Sequence, residues 1–312
     1  MTLKAPFPWF GGKSRVAHLV WDRFGDVQNY VEPFAGSLAV MLQRPHAPKI
    51  ETVNDKDAYL VNFWRAIKAD PDEVAYWADW PVSEADLIAR HRWLVSYAQP
   101  RLSLLKTDPD FFDAKVAGWW VWGICSWIGS GWCVQRGNGD QPEQLPHLGT
   151  AEMGINRKLP HLGDAGRGEQ IRAYFMRLSD RLRNVRICCG DWDRVLGDSV
   201  TFRHGSTGIF LDPPYSADEH VVTYSAGGDD VAAAVRAWAI ENASKQSLRI
   251  ALCGYEGEHA MPDSWSVVAW KAAGGFGSQG DGDGRKNCSR ERIWFSPACI
   301  QPQLSLALEV SA

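Results

Sequence analysis

Asp212-Pro213-Pro214-Tyr215 is the segment of this chain best suited to chemistry. It follows a short apolar run, Gly208-Ile209-Phe210-Leu211, that reads as a buried strand. Neither proline has an N–H to give a ladder, so the strand must stop at Asp212. The prolines then make a stiff corner presenting a carboxylate, a backbone carbonyl and an aromatic ring. A planar base bearing an amino group suits such a corner. The carboxylate and the Pro213 carbonyl accept the two amine hydrogens, and the Tyr215 ring stacks on the base. The plainer reading is a turn with an ordinary tyrosine.

The elements around the corner set its company. Lys13 and Ser14 follow a glycine turn, and Ser14 is placed to cap a helix from about Arg15 to Phe24. Tyr30 to Glu32 reads as a strand running into Pro33-Phe34-Ala35-Gly36-Ser37, where Gly36 lets the backbone approach a ligand. A helix is expected through Ala39–Leu42, a strand at Ile50–Asp55 and a helix from Ala58 to Lys68. This β-α-β-α rhythm predicts a doubly wound parallel sheet. Further on, Ile171, Phe175, Leu178 and Leu182 mark a helix face. Strands are expected at Val185–Cys188, Ile209–Leu211, Arg249–Leu252, Ser266–Trp270 and Glu291–Phe295, with a helix over Val231–Ser244. Ser216–Asp230 reads as a loop able to close over a bound base.

Three of these strands run into acid: Asp55, Asp191 and Asp212. Open α/β sheets bind ligands beyond the carboxyl ends of their strands. The three acids are therefore expected at one crevice. Asp55 stands where an acid can accept both hydroxyls of a ribose, with a helix N-cap as its competing role. Neither nucleotide-loop pattern is present: the glycine turn after Glu32 is not GxGxxG, and Phe7 stands where a P-loop before Gly12-Lys13-Ser14 needs glycine.

The 312 residues carry a net charge of −4, so any contact with nucleic acid must use a local patch. Between Arg157 and Arg186 eight basic residues face three acidic ones. That stretch is either such a patch or a solvated helix face. The seven cysteines form no CxxC pair, which reads as reduced thiols in an intracellular protein, not a zinc site or a disulfide framework. No apolar run is long enough for a membrane span. The 16 tryptophans crowd at Trp119, Trp120, Trp122, Trp127 and Trp132, either as core or as a stacking platform for bases.

The ordered series Pro8-Trp9-Phe10-Gly11-Gly12-Lys13, Val31–Ser37, Val53–Asp57, Gly190-Asp191-Trp192 and Asp212–Tyr215 resembles the motifs of Dam-type adenine-N6-specific DNA methyltransferases, with a phage-like insert. That resemblance implies a Rossmann-like S-adenosylmethionine-dependent sheet over residues 1–75 and 171–300. It also implies a mostly helical target-recognition insert over 76–170 and a tail at 301–312. Trp9 and Lys13 would bind S-adenosylmethionine, Lys13 near its charged end. The turn with Glu32, Phe34 and Gly36 would cradle the methionine part. Asp55 would hold the ribose, Asp191 would lie near the adenine, and Asp212 would touch both cofactor and base. One departure is the single glycine in Phe34-Ala35-Gly36-Ser37, which leaves Ala35 or Ser37 to tolerate the turn. Double-stranded DNA is the expected partner, read by Arg136, Asn138, Arg157 and Lys158, with Gln135 as a further candidate. No metal is expected. Cytosine-N4 methylation is the nearest rival; RNA or protein-amide methylation and a non-catalytic DNA-binding relative are further ones.

Overall fold

The computed structural model describes residues 2–9, 12–128, 132–133, 154–155, 168–215, 228–271 and 290–301. Seven strands build its main sheet: β1 Asn29–Glu32, β2 Ile50–Asp55, β3 Val185–Cys189, β4 Thr207–Leu211, β5 Leu248–Tyr255, β6 Ser266–Ala269 and β7 Glu291–Phe295. Their order is β3-β2-β1-β4-β5-β7-β6. The strands from β3 to β5 in that order run parallel, while β7 is antiparallel to both β5 and β6. Every residue of β1 and β4 is buried, as a parallel sheet covered on both faces requires. Side chains alternate between two cores. Phe210 joins one with Phe24, Phe63 and Phe175; Ile209 and Leu211 join the other with Val235 and Ala239.

Among the described residues the helices of eight residues or more are α1 Ala17–Phe24, α2 Ala58–Ala69, α3 Pro71–Ala78, α4 Glu84–Trp93, α5 Ala114–Ser126, α6 Glu169–Leu182 and α7 Gly228–Asn242. No described helix is long and apolar enough to cross a membrane. Asp57 caps α2, accepting from the N–H groups of Tyr59 (2.8 Å) and Leu60 (3.1 Å). The cap is thus Asp57, which frees Asp55 from that role. Asp70 caps α3, with Pro71 in its first turn. Helix α5 packs on α2 and α3, and Trp120 meets Phe7 and Phe63 at 5.1 and 5.8 Å. One hydrophobic cluster therefore runs unbroken from the first 24 residues through α2 and α5 to α6.

Several elements differ from expectation. The first helix begins at Ala17 after a 3-10 turn over Lys13–Arg15, and no side chain caps it. Only a 3-10 turn, Met41–Gln43, stands where a helix was expected at Ala39–Leu42. Leu38 just before it has a φ of +56°, so the chain enters that segment from a left-handed turn. The end of the expected loop Ser216–Asp230 is helical from Gly228; the rest of that loop lies outside the described residues. In the basic stretch, Arg181 is not free for DNA. It makes two contacts to buried Glu51, at 2.5 and 2.8 Å, which Arg44 also meets at 3.2 Å. Trp120, Trp122, Trp127 and Trp132 are buried, so for them the core reading holds.

Candidate active site

Strand order reverses between β1 and β4, the topological switch point where such sheets open a crevice. The four adjacent strands there each lead into an acid: Asp191 after β3, Asp55 in β2, Glu32 in β1 and Asp212 after β4. Three of the four turn inward. Asp191 does not: its side chain is 73% exposed and pairs with Lys56 at 3.0 Å. Beside it, Phe34 and Trp192 stack at 6.3 Å.

At the proline corner, Lys13 Nζ lies 2.9 Å from Asp212 Oδ1. The Tyr215 hydroxyl is 3.1 Å from the same oxygen and 3.0 Å from Glu291 Oε2. It has one proton for two carboxylates and donates to one at a time. Lys13 is 3% exposed, with its ammonium over the rings of Tyr215 and Trp270. Burial works against its charge, but Asp212, then Cys253 and Glu291, outweigh burial and raise its pKa. Lys13, which the family resemblance implies near the charged end of a cofactor, is held by Asp212. The Tyr215 ring is expected to stack on a base. Here the ring is buried, edge-on to Tyr255 at 4.6 Å, and its hydroxyl is engaged.

One strand over, Gly36 takes a φ of +46°. Its N–H donates to Asp55 Oδ2 at 3.0 Å, and the Asp57 N–H donates to Asp55 Oδ1 at 3.0 Å. The Gly36 carbonyl accepts from Trp64 Nε1 at 3.1 Å. A Cβ on Gly36 would sit 2.7 Å from the Trp9 indole, so the ring closes directly over the turn. The second left-handed residue of the turn is Leu38, not Ala35 or Ser37. Asp55 is 3% exposed, and burial pushes its carboxyl up to about 7 against the pull of the Asp57 and Gly36 N–H groups. Glu32 accepts from the Tyr30 hydroxyl at 2.9 Å; burial raises its pKa well above the carboxylate range. Asn54 Nδ2 ties the Pro33 and Gly190 carbonyls together, while its buried Oδ1 has no partner among the described residues.

The structure thus joins Trp9, Gly36 and Asp55 in one group and Lys13, Asp212 and Tyr215 in another. Glu291, Tyr30, Asn54 and Trp270 were not foreseen. Glu291 opens a strand after a glycine-rich stretch, and a lone acid there carries no sequence signal. Arg136, Asn138, Arg157, Lys158 and Gln135 lie outside the described residues.

Residues 9–80 match the D12 class N6 adenine-specific DNA methyltransferase family. The match spans less than half of the chain and supports DNA adenine methylation as the general activity. It takes in Trp9, Lys13, Glu32, Gly36 and Asp55, but the corner at Asp212 and Glu291 lie beyond it. No curated protein matches the chain. The six described cysteines are free thiols, and among the described residues no cluster of His, Cys, Asp or Glu is arranged to hold a metal. A left-handed glycine beneath an indole, with inward-turning acids on neighbouring strands, fits the cofactor such a family uses.

Proposed function

We propose that the chain moves a methyl group from S-adenosylmethionine to the N6 amine of an adenine flipped out of double-stranded DNA, at a specific sequence. The observation that carries this reading is the cluster of Lys13, Asp212, Tyr215 and Glu291 beside the switch point, one strand from the Gly36 turn. Trp9, the turn with Glu32, Phe34 and Gly36, and the acids Asp55 and Asp191 are the residues that would hold the cofactor. When bound, it supplies an electrophilic methyl on sulfonium.

The adenine amine is a poor nucleophile because its lone pair is shared with the ring. Asp212 and the Pro213 carbonyl accept its two hydrogens and draw the nitrogen towards tetrahedral geometry. Lys13 and Tyr215 fix the Asp212 carboxylate for that task. A hydrogen bond to a charged group contributes about 1.5–3 kcal/mol, whereas correct alignment of reactants supplies about 7–11 kcal/mol. Positioning therefore dominates. Flipping the base costs a few kcal/mol, which contacts from the 76–170 segment offset. Arg136, Asn138, Arg157 and Lys158 are our candidates for those contacts.

Asp212→Ala is expected to abolish transfer of labelled methyl groups to duplex DNA while leaving DNA binding largely intact. Digestion of DNA treated with the native enzyme should yield N6-methyldeoxyadenosine. Substantial activity in Asp212→Ala removes the role assigned here, and N4-methyldeoxycytidine in the digest changes the target base.

A further inference from the structure

Strand β7 is held in the sheet by Ile293, Trp294 and Phe295, all buried. It runs antiparallel to β5, so its first residue, not its last, lies at the crevice end. That residue is an acid. Glu291 stands opposite Tyr255 in the register and is 3% exposed. Its carbonyl accepts from the Trp270 N–H at 3.2 Å and from Arg292 Nη1 at 2.9 Å, which pins its backbone. A carboxylate buried this deep is costly, and an apolar residue would serve the sheet better.

Tyr215 is gripped from these two strands. Tyr255 meets its ring edge-on at 4.6 Å, and Glu291 Oε2 lies 3.0 Å from its hydroxyl. The same hydroxyl is 3.1 Å from Asp212 Oδ1, the oxygen that Lys13 Nζ holds at 2.9 Å. The Asp212 side chain is 20% exposed against 4% for Lys13. Of that ion pair, Asp212 is the member an incoming group can reach.

A phenol has one proton to give. Donated wholly to Asp212, it would leave Oδ1 with two donors, one of them cationic, and less charge for a further hydrogen. A second carboxylate on the far side of the hydroxyl divides that proton. A neutral acceptor in its place would compete poorly, because hydrogen bonds to ionised groups are roughly twice as strong. We propose, on the reading of this corner as a methyl-transfer site, that Glu291 is a positioning residue: it draws the Tyr215 proton from Asp212 and keeps that carboxylate free to accept from the target amine.

Methyl incorporation into duplex DNA is measured for the full native chain, Glu291→Gln, Tyr215→Phe and the double variant, with cofactor Kd from calorimetry. Glu291→Gln should lower kcat about tenfold, with the cofactor Kd and the KM for DNA nearly unchanged. Glutamine keeps the size and can still accept, so it would rescue a residue that only packs or anchors. Native kcat in Glu291→Gln therefore overturns the proposal, as does a loss confined to KM or Kd. In the Tyr215→Phe background the same replacement should cost nothing further, because no proton remains to be divided. Additive losses would mean that Glu291 acts without Tyr215, and they overturn the proposal too. If circular dichroism shows Glu291→Gln unfolded, Glu291→Asp decides. It keeps the charge but draws the carboxylate back from the hydroxyl, so kcat should fall with the cofactor Kd retained; native kcat there is the overturning result. A native chain that transfers no methyl group removes the proposed function and this role with it. Transfer by the native chain with kcat unmoved in Glu291→Gln removes this role alone.

Discussion

Replacing Tyr215 by phenylalanine removes one oxygen and keeps the ring. If stacking were the residue's whole contribution, turnover would survive. The hydroxyl, however, stands between Asp212 and Glu291 in a buried setting. Losing a buried hydrogen-bond donor costs about 1–3 kcal/mol, and 1.4 kcal/mol is about tenfold in rate. Tyr215→Phe is therefore expected to lower kcat about tenfold or more with the cofactor Kd nearly unchanged, as read by steady-state methyl incorporation and calorimetry. Unchanged kcat returns the residue to a stacking role. Asp212 and Lys13 were legible in the sequence because a strand-ending Pro-Pro corner and a glycine turn before lysine are unusual local patterns. Their mutual contact was not, since 198 intervening residues separate a pair that only the sheet order brings together. Glu291 was invisible for the same reason.

At the scale of elements, the strands and most helices could be read from apolar runs and turn residues, because buried parallel strands and amphipathic helices leave strong local patterns. The segment from Leu38 to Gln43 could not. Its helix-friendly residues are overridden by a buried left-handed turn at Leu38, a tertiary effect. The Gly36 turn makes a testable claim about contact. An alanine there meets both a left-handed backbone, at about 1–2 kcal/mol, and the Trp9 indole at 2.7 Å. Gly36→Ala should destabilise the chain in urea unfolding by about 1–3 kcal/mol. In a Trp9→Ala background the penalty should shrink, because the obstructing ring is gone. An identical penalty in both backgrounds would show that ring and turn do not touch.

For the molecule as a whole, buried acids tie stability to pH. Asp55 titrates near 7 when folded, against about 3.9 for an unperturbed aspartate. The folded chain thus holds a proton that the unfolded chain releases, and stability from this group is complete below about pH 4 and lost as pH rises through 7. The swing is at most about 4 kcal/mol. Urea melts across pH 4 to 8 should show stability falling over this window, and Asp55→Asn should flatten the slope; an unaltered slope would contradict the assignment. The position of β7 has a biosynthetic consequence. It is the last strand in sequence among the described residues, yet it lies inside the sheet and delivers Glu291 to Tyr215. While a ribosome is still making residues 291–295, the emerging polypeptide already exposes Trp9, Lys13, Asp55 and Asp212 without that partner. A nascent chain stalled before this point would have a gap in its sheet and an unfinished corner at Tyr215, so the activity proposed for that corner is expected to switch on late in translation.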